Sequence, residues 1–178
     1  MLLRAAIFAP LLLVLGCAGA PDDDASFRDA QVSEGNGDLS IWLGPVAAQP
    51  DIIIYDIQNG FVYHGQQTPD NLILNVHDGE ILDATNTEVY CAFDGDELVD
   101  AETGEVVLRV QGKVIFEGDD GGPGTIWLKH EHIYEGPPVA HNILATASVE
   151  IADASDTRKL LIGALMTANC GAPEFPRE

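Results

Sequence analysis

Apolar residues alternate with their neighbours in short runs along the middle of this chain. Leu72, Leu74 and Val76 form one such run, Val89, Cys91 and Phe93 the next, and Val106, Leu108 and Val110 a third. A period of two predicts half-buried strands. Each run leads into a turn signal, namely Asp78-Gly79, Asp94-Gly95 and Gln111-Gly112, with Asn59-Gly60 doing the same one unit earlier. Asn-Gly and Asp-Gly suit tight hairpins because both central residues of a type I′ turn need positive φ. After each turn comes a second short phrase that ends on a small residue. The phrases end at Gly65, Ala84, Ala101, Gly118, Gly136 and, in a weaker copy covering residues 150–154, Ala154. Self-similarity at a fixed period marks a repeat architecture. The pattern therefore predicts an all-β domain of about six β-hairpin repeats, each 17–19 residues long. One hairpin cannot bury its apolar face, whereas neighbours can. Long meanders protect their edges by closing or by radial repetition. The expectation is a closed or radial antiparallel meander of roughly a dozen strands. The alternative is a β-solenoid with one coil per unit. Residues 159–166 suit either a final strand or a short helix capped by Ser155, and the repeat favours a strand.

The units resemble the short hairpin repeats of a bacterial domain type called the β-flower. The best matches are 110–118 and 128–136, within a resemblance that spans about 53–154. It implies a hairpin array and carries no enzymatic activity with it.

The N-terminus adds an address. MLLRAAIFAPLLLVLGCAGA has one basic residue, Arg4, then an apolar run too short to span a bilayer, as in a secretory signal. Val14-Leu15-Gly16-Cys17 resembles a bacterial lipobox. That resemblance implies acylation of Cys17, cleavage after Gly16, and anchoring in the lipid bilayer. Ala18, rather than Asp, after the cysteine implies transfer to the outer membrane of a Gram-negative bacterium. Residues 18–38 are acidic and poor in aliphatics, too polar to fold alone. The expected organisation is a signal peptide at 1–16, an acylated acidic tether at 17–38, and the hairpin-repeat domain at 39–178.

Composition narrows the partners. The chain has 29 acids and 8 bases. Loss of a leader containing Arg4 leaves 29 acids against 7 bases, a formal charge of −22. Such a chain repels phosphate backbones, which excludes nucleic acid as a partner. An envelope protein or glycan, or a cation, fits better. Besides Cys17 there are two cysteines, Cys91 and Cys170. In an oxidising setting an even pair predicts a disulfide.

Candidate chemistry is sparse. His130 and His132, read as i and i+2 on one strand, would share a face, and His141 beyond the next turn could complete a zinc site. Asp83, Asp100, Glu117, Glu135 and Asp153 recur just before the final small residue of successive units. In a radial array they could form a ring that attracts calcium or a basic partner. The chain contains no P-loop, no GxSxG elbow and no calcium-binding DxDxDG loop. The reading that follows is a non-enzymatic envelope lipoprotein that binds or scaffolds and needs no cofactor. The alternatives are a metal-dependent enzyme using the three histidines and a calcium-dependent adhesin using the acids.

Overall fold

A computed structural model describes residues 39–45, 53–119 and 124–176. The leader, the lipobox, the tether and Cys17 lie outside the described residues.

The domain is a closed barrel of twelve antiparallel strands in which each strand pairs with its neighbours in sequence. The strands are β1 (Leu39–Leu43), β2 (Ile53–Gln58), β3 (Phe61–His64), β4 (Leu72–His77), β5 (Glu80–Asp83) and β6 (Val89–Asp94). They continue with β7 (Glu97–Asp100), β8 (Val106–Gln111), β9 (Val114–Glu117), β10 (Ile126–Lys129), β11 (His132–Glu135) and β12 (Ile143–Ala147). The solenoid alternative is therefore set aside, because every pairing is antiparallel.

Five hairpins follow the sequence units: β2–β3, β4–β5, β6–β7, β8–β9 and β10–β11. The sixth is composite. Residues 150–154 form turns rather than a strand. Their place beside β12 is taken by β1, with Ile41 opposite Ala147 and Leu43 opposite Ala145. Closure thus joins the two ends of the domain and leaves no free edge, which removes the template for strand addition that an open meander would present.

The alternation predicted from sequence is the inside–outside alternation of the barrel. Ile57, Val62, Leu74, Val76, Ile81, Cys91, Leu98, Leu108, Val110, Ile115, Ile126, Leu128 and Ile133 are buried and belong to one core. In β3, β5, β7 and β11 the register shifts just after the central buried aliphatic: Val62, Ile81, Leu98 and Ile133. A bulge at the same place in unit after unit bends the sheet by a repeated increment, which is how a flat ribbon is made to close. Two of the hairpin turns sit where the sequence placed them, at Asn59-Gly60 and Asp78-Gly79, with both residues at positive φ. Two are displaced by one position. Asp94 pairs with Glu97 and Gln111 with Val114, so the central residues are Gly95-Asp96 and Gly112-Lys113, each with the glycine first. That is the type II′ arrangement.

The C-terminal segment corrects the sequence reading. It is not a strand but a helix, α1 (Asp156–Thr167). Ser155 caps it by accepting from the Arg158 backbone N–H at 3.4 Å, and Asp156 lies in the first turn, where a negative charge suits the helix dipole. Every residue from 157 to 166 is buried. A helix buried all round has no polar face, so its sequence shows no amphipathic period. That is why the run LLIGALM reads equally well as a buried strand.

Helix α1 occupies the lumen. At its start, the Lys159 ammonium donates to the Gly112 carbonyl at 2.8 Å in the β8–β9 turn. At its end, the Tyr55 hydroxyl donates to the carbonyls of Leu165 (3.3 Å) and Pro173 (3.1 Å). Burial pushes the Tyr55 phenol up to about 12. The helix thus enters at the pole of the hairpin turns and leaves at the pole of the longer connections between hairpins. Its twelve residues rise about 18 Å. Strands of four to six residues span roughly 13–20 Å, so plug and wall match in length. Leu160, Leu161, Ile162, Leu165 and Met166 are at most 1% exposed. Each such side chain contributes about 1.5–3 kcal/mol on burial.

The predicted disulfide is present between Cys91 and Cys170, with Cα atoms 5.5 Å apart. It fixes the segment just beyond α1 to β6. Gly171 follows at φ +77°, with a Cβ position only 2.3 Å from the Tyr90 ring, so only glycine lets the tail lie against that ring.

Two predictions follow the plug. Replacing Gly163 by Leu should destabilise the domain by about 1–3 kcal/mol, the usual cost of overpacking. A Cβ there would already lie 2.9 Å from Ile115 Cγ2 and 3.2 Å from Leu108 Cδ1. Urea denaturation reads the change, and it runs against the ordinary gain from removing a helical glycine. Replacing Cys91 and Cys170 together by Ala should cost about 4–5 kcal/mol on the chain-entropy estimate for so long a loop. The bridge spans 79 residues. The same loss should appear in the wild type under reductant.

Candidate functional site

The two poles differ in construction. The hairpin pole carries two-residue turns, and the connection pole carries the longer links between hairpins. Each candidate residue falls on one or the other.

The three histidines are not brought together. His130 is not a strand residue: Lys129 pairs with His132, so His130-Glu131 is the β10–β11 turn. His130 has φ +56°, in the place where two other hairpins use Gly95 and Gly112. Its ring Nδ1 is 3.5 Å from a Glu150 carboxylate oxygen, both groups well exposed. His132 points outward from β11, with Nδ1 3.1 Å from the Thr146 hydroxyl and its ring edge-on to Tyr134. His141 lies in a 3-10 turn, Ala140–Asn142, between β11 and β12, at the opposite pole from His130. Among the described residues no group of three or more His, Cys, Asp or Glu side chains is placed to hold a metal. The same-face geometry expected for i and i+2 needs a continuous strand, and the turn interrupts it.

The acidic series divides. Asp83, Asp100, Glu117 and Glu135 end β5, β7, β9 and β11, so all four lie at the connection pole. Asp153 does not join them. It lies at the hairpin pole, 2.9 Å from the Lys113 ammonium, and that hydrogen bond holds its carboxyl below the usual range. The cause is topological, since β1 replaces the strand that residues 150–154 would have formed.

Two of the four acids organise their own turns. The Asp83 carboxylate accepts from the backbone N–H of Thr87 (2.6 Å) and of Glu88 (3.0 Å) and from the hydroxyls of Thr85 and Thr87. The Thr85 hydroxyl bond, followed by the backbone donors, holds this carboxyl far below the ordinary carboxylate value. Asp100 accepts from the Thr103 N–H (2.8 Å), the Thr103 hydroxyl (3.0 Å) and the Glu102 N–H (3.1 Å), which lowers it too. Short polar side chains that bond their own backbone a few residues on are turn formers. The threonines that follow each aspartate, in DATNT and DAET, are the signal for this role.

Sequence reasoning did not single out the residues that tie the connections down. Asn75, Arg109 and Thr146 occupy the same outward position, fourth in β4, β8 and β12. Asn75 Nδ2 donates to the Ala84 carbonyl (3.2 Å) and to Asn86 Oδ1 (2.7 Å). Arg109 pairs with Glu97 and Asp119, and Thr146 donates to the Gly44 carbonyl at 2.7 Å. Polar residues are expected on the outer face of a strand, so nothing in their spacing sets these three apart.

The connection pole also holds an open cleft of about 510 Å³ beside the exit of α1. Its lining is Met166, Thr167, Ala168, Glu174, Phe175 and Pro176.

The class that the structure defines is a twelve-stranded antiparallel barrel, built from hairpin repeats and plugged by a C-terminal helix. No protein-family model, no curated protein and no solved structure matches the chain.

Asp83 gives a pH prediction. Its carboxyl is depressed in the folded state, so its contribution is full above the ordinary value of 3.8 and is lost as pH falls below it. Asp83→Ala should lower the melting temperature at neutral pH and show a shallower decline than wild type in the acid range. An NMR titration of the wild-type carboxyl with a midpoint near the ordinary value would contradict this.

Proposed function

We propose that the protein is an exported, lipid-anchored module of the cell envelope that binds or scaffolds through its outer surface and does not catalyse. The observation that carries this reading is the occupied lumen. A large β-barrel commonly takes a small ligand or channel into its interior. Here α1 fills that space, so recognition is left to the turns and the outer faces.

Export and anchoring rest on the sequence and on one structural feature. The leader and Val14-Leu15-Gly16-Cys17 provide the acylation signal. The Cys91–Cys170 bridge suits an oxidising compartment, where disulfides persist. Strands of four to six residues are about half the length that crosses a bilayer in a barrel. This supports a domain held beside the membrane by acyl chains on Cys17, at the outer membrane, with the acidic residues 18–38 as its tether.

Metabolic labelling with a palmitate analogue in a Gram-negative host tests the anchor. The wild-type chain should be labelled and fractionate with outer membrane. Cys17→Ser should be unlabelled and soluble. An unlabelled wild-type chain would end the lipoprotein reading.

A further inference from the structure

The Cys91–Cys170 bridge joins two unequal partners. Cys91 is 1% exposed and sits mid-strand in β6, paired with Ile81 of β5 on one side and Asp100 of β7 on the other. The sheet fixes its place whether or not the bridge is made. Cys170 is half-buried and lies in an irregular segment beyond α1. An incoming thiolate therefore reaches the Cys170 sulfur first.

That segment is held against its own backbone preference. Ala168, Cys170 and Gly171 have φ of +57°, +54° and +77°. A side chain disfavours this left-handed region, and Gly171 alone of the three lacks one. Such conformations persist where the surroundings over-determine them. On one side the last turn of α1 does so, with the Asn169 N–H on the Ala164 carbonyl at 3.0 Å. On the other side the bridge does so.

The tail beyond it is a cover. Ala172 and Phe175 are 8% and 7% exposed and belong to the core, and the Pro173 carbonyl accepts from the Tyr55 hydroxyl. Glu174, Phe175 and Pro176 form one wall of the cleft, and Met166, Thr167 and Ala168 form the other.

We propose that the bridge is a redox latch: a dithiol opens it, segment 168–171 relaxes, and residues 171–176 leave the connection pole while α1 and the barrel stay folded. One thiolate of the dithiol attacks Cys170 Sγ and forms a mixed disulfide, while Cys91 departs as a thiolate and takes up a proton. The second thiolate attacks the reagent sulfur of that mixed disulfide, Cys170 departs and is protonated in turn, and the reagent ends as a disulfide. Two electrons have passed to the protein. Cys91 then stays in the wall as a small apolar thiol, so the barrel outlasts the latch. The cleft loses the wall formed by the tail, and the Met166 end of the lumen opens to solvent. The inference does not rest on the acyl anchor.

The test uses the full chain in neutral detergent, with and without dithiothreitol, and reads backbone order by NMR relaxation. Intact mass after alkylation confirms that both cysteines are reduced. Order parameters at Gly171, Ala172, Glu174 and Phe175 should fall from about 0.85 to below about 0.6 on reduction, while α1 and the strands stay near about 0.85. Cys91→Ala with Cys170→Ala should show the same free tail without reductant. Ala168→Gly keeps the bridge and removes one left-handed side chain. In its reduced form the ratio of released to bound tail should fall about fivefold or more against reduced wild type. This variant and the wild type suffice if the double variant fails to fold. A tail that stays ordered after complete reduction would overturn the proposal, as would loss of order in strands and α1 alike. So would a bridge that resists dithiothreitol in the folded chain, or an unchanged ratio in Ala168→Gly.

Discussion

A closed sheet of twelve strands encloses more space than its own side chains fill, and the structure depends on how that space is occupied. Cores pack as densely as organic crystals, so an unfilled lumen would forfeit the contacts of every inward residue. α1 meets that constraint. Its close seat on β8 and β9 at Gly163 and its match in length to the wall make strand and helix parts of one core. The β1–β12 pairing closes the wall around it, and the Cys91–Cys170 bridge holds the tail after it has emerged. None of these features makes sense alone. The bridge constrains a segment that would otherwise be a loose end, and the closure encloses a helix whose apolar run from Leu160 to Met166 would otherwise be exposed.

The same plug gives the domain a direction. One pole receives the N-terminus of the helix, the hairpin turns and, among the described residues, Lys113, Lys129, Arg158 and Lys159. The other receives the helix C-terminus and the turn-forming aspartates, while exposed acids stand at both poles. Asp83 and Asp100 show that part of this acidity is architectural, because their oxygens are committed to backbone donors. Glu102 and Glu105, in the connection after Asp100, are exposed instead.

Much of the wall was legible in the sequence because alternation and turn chemistry are local. Leu74, Cys91 and Leu108 declared their inward side, and Asn59-Gly60 and Asp78-Gly79 declared their turns. What the sequence hid was tertiary. The apolar run of α1 has no period to read, although Ser155 and Asp156 marked its start. The sixth repeat, 150–154, keeps the phrase but loses its place to β1, a substitution that only closure reveals. For the same reason Asp153 left the acidic series. His130 was misplaced because the β10–β11 turn falls at His130-Glu131, inside the stretch read as one strand. Cys91 and Cys170 were paired by counting, and the fold supplies the geometry.

The central claim is that α1 and the barrel form one cooperative unit. Native-state hydrogen exchange, followed for the α1 amides and for those of β4, β8 and β12, tests it most directly. The account predicts that α1 amides exchange only by global unfolding, with the same free energy and denaturant dependence as the barrel strands. Exchange of α1 by a separate, lower-energy opening while the strands stay protected would contradict it. The helix would then be a detachable insert in a barrel that stands without it.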